Sequence, residues 1–417
     1  MYQIIFIFVA TVGAFYFLLS RRKFDYFTVA FFSACVYFLP GFFGYSSYHT
    51  LGTWTDTSIN SEAYLIMTSV LASIFLFAAL GSTVKNPIRF HIAIPNINFS
   101  ANLVCCISIL GLIALIFTAG DAIHQADKDS VMEHLGRWHI LFYSSAVIGL
   151  PLSFALKRFG LMFTFASLLI FDLYLGFRSA IAMGLLSTAI VYMAEKPKSR
   201  LLIKEITPLI LISLVALFFF LYKAIAFSVK IGDWDLVAKA LGDLQTYELM
   251  ITRSEPFVIQ QVLNDVVKTN FQVPPENVLS AFGQLILFAP DLGLSSPSFN
   301  DLFQPTLFPS VEYGMAANIW AQMWSAGGWG LLILFLIIFN SVLAVGNATL
   351  RSPSTIIRAG FAPVFLYWGF YIHRNDISYA INIEKRLIFI LFTCIALAFL
   401  LRHLAPSRCT YSNEVNG

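Results

Sequence analysis

Eleven apolar runs, many close to the length of a membrane-spanning helix, restrict the fold of this chain more than any other feature. A helix needs roughly 20 residues to cross a hydrocarbon core of about 30 Å, and inside lipid its backbone polar groups must pair within the segment. Hydrophobic residues make up 58% of the chain and charged residues 12%, so most of it cannot form the surface of a soluble globule. The pattern predicts an all-α polytopic membrane helix bundle of about eleven transmembrane spans. The spans are predicted near residues 2–20, 24–43, 62–83, 98–119, 138–156, 159–176, 179–194, 206–227, 322–348, 359–372 and 387–402.

The basic residues predict the orientation of these spans. The first run has no small-residue cleavage site and is followed by Arg21, Arg22 and Lys23, which indicates a retained span with its basic flank inside. One set of connections holds fifteen of the 26 lysines and arginines but only four of the 23 acidic residues. Cytoplasmic loops hold the excess of Lys and Arg, so the amino terminus is predicted outside and the carboxyl terminus in the cytoplasm.

The longest connection divides the chain into three parts: amino-terminal spans over 1–227, an outer loop over 228–321, and carboxy-terminal spans with a cytoplasmic tail over 322–417. The outer loop is predicted to be helical. Apolar spacing indicates a helix over 234–250, and Ser254 and Pro256 mark the start of another. An apolar run of about a dozen residues between prolines suits a re-entrant or interfacial helix. The Ser/Pro/Asn-rich passage 295–309 predicts a loop.

Arg178 stands in the apolar passage YLGFRSAIAMGLLS, residues 174–187. Residues 159–194 would form one helix of about 54 Å, yet basic clusters flank both ends, and a single span would put those clusters on opposite faces. A hairpin turning at Gly176 keeps both clusters inside and places Arg178 at the outer mouth, where it can reach an anion. The alternative is an arginine that only extends to the interface. Asp172 is either the counter-ion of Arg178 or a buried structural acid.

Arginines stand near the outer ends of several spans and in the outer loop. Arginine binds phosphate with two parallel hydrogen bonds and stays charged in a low-dielectric site, so several arginines in one outward pocket would suit a lipid-linked pyrophosphate. The polar segment YIHRNDISYAINIEKR, residues 371–386, adds His373 and Asp376 beside Arg374. Ionisable groups at a membrane boundary are costly and favour a functional role, with an ordinary polar loop as the alternative.

The segment VEYGMAANIWAQMWSAGGWGLL, residues 311–332, enters a span. Glu312 precedes it, and the glycines at 327, 328 and 330 predict a close approach of helices. The tryptophans at 320, 324 and 329 predict either an interface belt or a surface for sugar stacking. The chain contains no CxxC, HExxH or Walker-type loop, and the spacing of His124, His134 and His139 suggests no metal site, since each is more often a surface histidine than a ligand. We therefore expect no metal and no ATP.

The chain resembles the Wzy-type polymerases of O-antigen and other oligosaccharide repeat units. The resemblance rests on the eleven spans, the large outer loop late in the chain, the GFRS element that heads a span, the EYGMAANIWAQMWSAGGWG segment and the outward Arg–Asp cluster before the last helix. It implies a multi-pass protein of the bacterial inner membrane. It also implies glycosyl transfer between two undecaprenyl-pyrophosphate-linked oligosaccharides on the periplasmic face, with no cofactor and no nucleic acid.

The resemblance also implies roles for particular residues. Neutralisation of the pyrophosphate is expected from Arg178, Arg374, Arg253 and Arg386. The candidates for the base that takes the acceptor hydroxyl proton are Glu312, Asp376 and His373. Besides its lipid-linked substrate and the membrane lipid, the implied partner is a chain-length regulator protein.

Three other functions are consistent with the sequence. An O-antigen ligase would share the donor and use lipid A core as its acceptor. A transporter would carry charged residues at mid-bilayer and broken helices in inverted repeats, whereas nearly all charges here lie at span ends, with Asp172 as the main exception. A non-catalytic membrane scaffold would give no reason for arginines at the ends of separate spans.

Overall fold

The computed structural model describes residues 1–21, 23–83, 97–125, 128–195, 225, 228–229, 231–283, 297–311 and 313–404. The structure confirms the predicted fold class, an all-α bundle with apolar membrane helices. Five of the described helices are long and apolar enough to cross a membrane: Tyr2–Arg21, Ser61–Gly81, Asn98–His124, Arg137–Ala155 and Ile319–Thr349. Three shorter apolar helices accompany them. The predicted span over 206–227 lies almost wholly outside the described residues.

The amino-terminal part contains nine described α-helices and a two-stranded hairpin. They are α1 (Tyr2–Phe15, continued by a π-helical turn over Tyr16–Arg21), α2 (Tyr26–Tyr37), α3 (Leu39–Phe43), β1 (Tyr45–Thr50), β2 (Thr53–Ser58), α4 (Ser61–Thr83), α5 (Ile97–Ala119), α6 (Lys128–His134), α7 (Arg137–Ala155), α8 (Phe159–Tyr174) and α9 (Ser179–Glu195). Helix α7 packs against α5, α8 and α9. The approach of α5 to α7 is close because Gly111 has no side chain, and a Cβ there would lie 2.9 Å from the backbone nitrogen of Phe142.

The remaining described helices are α10 (Trp234–Gly242), α11 (Leu244–Thr252), α12 (Glu255–Lys268), α13 (Glu276–Gly283), α14 (Phe299–Leu307), α15 (Ile319–Thr349), α16 (Ala362–Leu366) and α17 (Ile377–Leu404). Short π and 3-10 turns over Ile356–Gly360, Tyr367–Tyr371 and Ile372–Arg374 connect α15 to α17. Helix α12 is the most buried part of the outer loop, because it packs between the hairpin and the helices α2, α4 and α15.

Several features of the outer loop differ from the predictions. Residues 234–250 form two helices that break at Asp243, whose backbone is extended. The helix predicted after Ser254 is present. The passage predicted as a loop contains α14, which begins at Ser298 with a reciprocal capping box to Asp301. The hairpin of β1 and β2, paired from Tyr45 with Ser58 to Thr50 with Thr53, was not predicted.

Helix α15 is broken at the glycines for which the sequence predicted a close approach of helices. Gly328 has φ 56° and ψ −148°, a conformation open almost only to glycine, and no neighbouring atom lies within 4 Å of a Cβ placed there or at Gly330. At Gly327 the nearest atoms to such a Cβ belong to Leu331 of the same helix, so among the described residues no second helix approaches these glycines closely, and the prediction of close approach was wrong. The glycines allow the backbone of α15 to break. About 20 residues of the helix follow the break, which is the length of one membrane span.

Candidate functional site

A cavity of about 950 Å³ opens where the hairpin meets the loops before α9, α12, α15 and α17. Three of the four arginines predicted to bind pyrophosphate line it, together with one of the three predicted bases: Arg178, Arg253, Arg374 and Asp376. The other lining residues are His49, Trp54, Glu255, Val258, Ser298, Asn300, Tyr313, Gly314, Met315, Ala316, Ala317, Asn375, Ser378, Tyr379 and Asn382. The fold thus brings together arginines that are far apart in the sequence.

Arg178 is positioned by the predicted turn between α8 and α9. Gly176 has φ 102°, its N–H donates to Leu173 O at 2.9 Å, and the N–H of Phe177 donates to Asp172 O at 3.0 Å. These two bonds form a Schellman motif, which ends α8 and requires the left-handed conformation that glycine adopts at low cost. Helix α9 begins at Ser179, so Arg178 directly precedes its first turn.

Arg178 forms no ion pair with any acid among the described residues. Burial lowers the pKa of this guanidinium; the charge of Glu255 opposes that shift, and the charge of Arg374 adds to it. An arginine side chain nevertheless stays protonated in proteins. Arg178 is therefore a partly buried cation at the cavity. Among the residues that the structure describes, no acidic side chain contacts it directly.

Arg374 lies next to Arg178 and has a carboxylate partner. Its Nη1 donates to Glu255 Oε2 at 2.7 Å, and its Nη2 lies 2.5 Å from Glu255 Oε1, so both oxygens are held. The guanidinium carbon also lies 4.7 Å from the centroid of the Tyr371 ring. About a quarter of each ion-paired side chain is exposed, so the pair lies at the wall of the cavity rather than beneath it.

Arg253 joins the outer loop to the hairpin. Its Nη1 contacts Asp56 Oδ1, its Nη2 donates to Asp56 Oδ2 at 3.3 Å, and its guanidinium lies 5.0 Å from the Trp54 ring centroid. Asp56 is more open to water than Glu255, with 47% of its side chain exposed against 26%, whereas the Arg253 and Arg374 side chains are about equally exposed. Exposed ion pairs contribute about 0–1 kcal/mol, so Arg253 can exchange its partner at little cost.

Asp376 caps α17. Its Oδ1 accepts from the Tyr379 N–H at 2.7 Å, and its Oδ2 accepts from the Phe299 N–H at 3.1 Å, which ties the start of α14 to the start of α17. Burial raises the pKa of this carboxyl, and the two backbone hydrogen bonds oppose the shift. A carboxylate has lone pairs beyond these two bonds, so Asp376 keeps the capacity to accept a proton from the cavity.

Four helices begin at the cavity wall. Arg178 precedes α9, Glu255 begins α12, Ser298 caps α14 and Asp376 caps α17. The first turn of a helix carries unpaired N–H groups and about half a positive charge. The helix ends therefore add to the positive potential that the arginines create, and the cavity favours an anion.

His373 does not line the cavity. It is buried, its Nδ1 accepts from the Trp320 indole N–H at 3.2 Å, and its ring packs among those of Tyr37, Phe38 and Phe339. This placement gives it no direct contact with a substrate in the cavity. Trp320 is fully buried in the same cluster and belongs neither to an interface belt nor to a stacking surface.

The two remaining predicted site residues lie elsewhere. Arg386 is in the third turn of α17 and does not line the cavity. Glu312 lies outside the described residues, although the next residue, Tyr313, lines the cavity.

Asp172 is a structural partner of His139 rather than the counter-ion of Arg178. Its Oδ1 lies 2.6 Å from His139 Nε2, and both side chains are buried. The suggestion of a surface histidine at 139 was therefore wrong. The His139 ring lies 4.6 Å from the Phe177 ring, so this pair supports the turn that carries Arg178.

Sequence reasoning missed Glu255, Trp54 and Tyr313. An acid in the first turn of a helix is an ordinary helix-start residue, so Glu255 in RSEPF gave no signal of its own. Trp54 lies on the unpredicted hairpin, where the alternation in TWTDTS was the available sign of a strand. Tyr313 accepts the His49 N–H at 3.3 Å, a contact across more than 250 residues that no local pattern reveals.

In the part of the chain that the structure describes, no group of three or more His, Cys, Asp or Glu side chains is arranged so that it could hold a metal ion. The charges that face the cavity are mainly those of guanidinium and carboxylate groups.

Comparison with known protein families, known proteins and solved structures found no match.

Proposed function

We propose that this protein is a membrane glycosyltransferase that joins polyprenyl-pyrophosphate-linked oligosaccharide repeat units into a surface polysaccharide. One observation carries the proposal: three arginines from separate segments line one cavity at the end of a membrane helix bundle. The volume of this cavity is near the upper end of the range of small-molecule sites, which is roughly 300–1,000 Å³. The cavity is therefore larger than a diphosphate alone requires.

Arginine chemistry and the fold both support a pyrophosphate as the bound group. Arg178 and Arg374 have planar forks that match two phosphate oxygens each, and the positive ends of four described helices lie around them. The lining residues carry three guanidinium groups; Arg374 is paired with Glu255 and Arg253 with Asp56, so Arg178 is the lining cation without an acid partner among the described residues. A lipid tail would extend from such a site into the surrounding bilayer.

The segments around the cavity also agree with the predicted orientation. The hairpin, the turn at Gly176, the outer loop and the turn before α17 all belong to the connections that the count of basic residues assigns to the outside. They meet at one end of the bundle. This agreement supports a periplasmic cavity in the inner membrane, with the carboxyl terminus in the cytoplasm.

The proposed reaction needs little from the protein beyond positioning and charge. A hydroxyl oxygen of the acceptor repeat unit attacks the anomeric carbon of the donor chain, and the bond from that carbon to the pyrophosphate oxygen breaks. The arginines stabilise the charge that grows on the leaving pyrophosphate. Asp376 takes the hydroxyl proton and returns it to water. Glu312, beside the cavity-lining Tyr313, stays the second candidate for the base.

The test is polymer formation by purified protein in liposomes supplied with a lipid-linked repeat unit. Arg178→Ala and Arg374→Ala should each abolish products longer than one repeat. Arg358→Ala is the matched control, because Arg358 pairs with Glu195 at 2.9 Å away from the cavity. Normal chain length in both cavity variants would refute the proposal. Transfer only to lipid A core would identify a ligase, and lipid-linked sugar crossing the bilayer without elongation would identify a transporter.

A further inference from the structure

Glu255 occupies the guanidinium fork of Arg374 at the wall of the cavity. It is the first residue of α12, it lines the cavity, and both its oxygens are bound by the guanidinium of Arg374. Burial lowers the pKa of Arg178, and the charge of Glu255 opposes that shift, so the carboxylate that contacts Arg374 also acts electrostatically on the second cation.

The geometry makes this contact easy to break. A carboxylate and a phosphate present the same pair of oxygens to an arginine fork, so one can replace the other without movement of the guanidinium. A quarter of the Glu255 side chain is already exposed, and after release its charge stays at the start of α12, where the helix favours it. The capping role of Asp376 keeps its own oxygens engaged with backbone N–H groups.

We infer that Glu255 is a built-in competitor of the bound diphosphate, which a substrate displaces from Arg374 on entry and which helps to expel the diphosphate product. This inference rests on the proposed function. One phosphate group would only exchange with the carboxylate at Arg374. A diphosphate can gain Arg178 as well, because Arg178 has no acid partner among the described residues. Glu255 therefore sets the selectivity of the cavity for a diphosphate over a single phosphate group.

The inference predicts opposite effects on binding and turnover. Glu255→Gln removes the competing charge but keeps a side chain that can accept from Arg374, so the fold is retained. The affinity for a diphosphate should rise about tenfold, since a charge-assisted pair no longer has to break. With a lipid-linked donor, KM should fall and kcat should fall with it, because the product leaves more slowly.

Isothermal titration of the full-length protein in detergent tests this with three probes: inorganic pyrophosphate, inorganic phosphate and farnesyl diphosphate. Glu276→Gln is the matched control, since Glu276 begins another outer-loop helix, is exposed and does not line the cavity. Tighter binding of both diphosphates by Glu255→Gln, with unchanged binding by Glu276→Gln, supports the inference. Tighter binding of farnesyl diphosphate alone identifies a lipid headgroup as the anion that Glu255 opposes.

The outcomes separate the two proposals. If wild-type protein binds pyrophosphate and Arg178→Ala does not, the cavity is a diphosphate site. Equal or weaker binding by Glu255→Gln would then overturn the role of Glu255 alone. A merely structural ion pair would lower kcat and thermal stability without a fall in KM. If neither wild type nor Glu255→Gln binds any probe, both the proposed function and this inference fail.

Discussion

Replacement of Arg178 should remove activity and leave stability nearly unchanged. Within the described residues Arg178 has no ion pair to lose, so Arg178→Ala should change the free energy of unfolding by no more than about 0.5 kcal/mol. If its guanidinium stabilises the leaving pyrophosphate, the same change should lower kcat by roughly 10²–10³-fold, as for the loss of one preorganised donor.

Arg178→Lys separates charge from geometry. Lysine keeps the charge but cannot donate two parallel hydrogen bonds to two oxygens. The loss of one hydrogen bond to a charged group costs about 1.5 kcal/mol, so this variant should be about tenfold slower than the wild type.

The assays are the rate of repeat-unit transfer in liposomes and thermal unfolding in the same detergent. Arg358→Ala serves again as control: its ion pair with Glu195 lies away from the cavity, so its rate should be normal. Full activity of Arg178→Lys would show that charge alone suffices. A loss of stability in Arg178→Ala comparable to the loss of activity would refute the reasoning, because the side chain would then serve the fold.

Three further predictions concern the base, the buried pair and the break in α15. Burial raises the pKa of Asp376, so its carboxylate should lose the ability to accept a proton as the pH falls through that raised value. Asp376→Asn can keep the bond from the Tyr379 N–H but not also the bond from the Phe299 N–H, and it should remove the acid limb of the pH–rate profile; an unchanged limb would exclude Asp376 as the base. His139→Phe should remove the contact of the buried Asp172 carboxylate with the imidazole and cost about 1–3 kcal/mol in thermal unfolding, whereas His124→Ala, at an exposed position, should cost no more than about 0.5 kcal/mol. Gly328→Ala should cost more than about 1 kcal/mol because of its positive φ, and Gly330→Ala should not, although both sites have open space for a Cβ; equal effects would contradict a backbone role for Gly328.

The helical membrane class followed from composition and run length, because lipid admits so few structures for an apolar chain of this kind. The turn at Gly176 also followed, since two basic clusters flank a stretch too long for one span. The helix after Ser254 was read correctly from the serine and the following proline.

Local patterns failed where distant contacts decide the structure. The hairpin forms with α12 packed against it: Ser46 donates to Gln261 at 2.7 Å, and Asn264 holds both the N–H of Asn60 and the carbonyl of Ser58. Helix α14 is a short helix in a Pro-rich passage, and the bond from its first N–H to Asp376 helps to hold it. Helix α17 begins ten residues before the predicted span, because its first turns pack inside the protein rather than in lipid.

The sequence by itself determined that the chain is an apolar helical bundle and that Arg178, Arg253 and Arg374 lie near span ends or in the long loop, since hydrophobicity and charge cost are properties of each segment. Only the tertiary structure decided that these three arginines share one cavity, that Arg386 and His373 do not line it, and that Glu255 pairs with Arg374 at the cavity wall. The reason is physical: whether a charge meets a partner depends on distances between segments far apart in the chain, and side-chain types along a sequence carry no record of those distances.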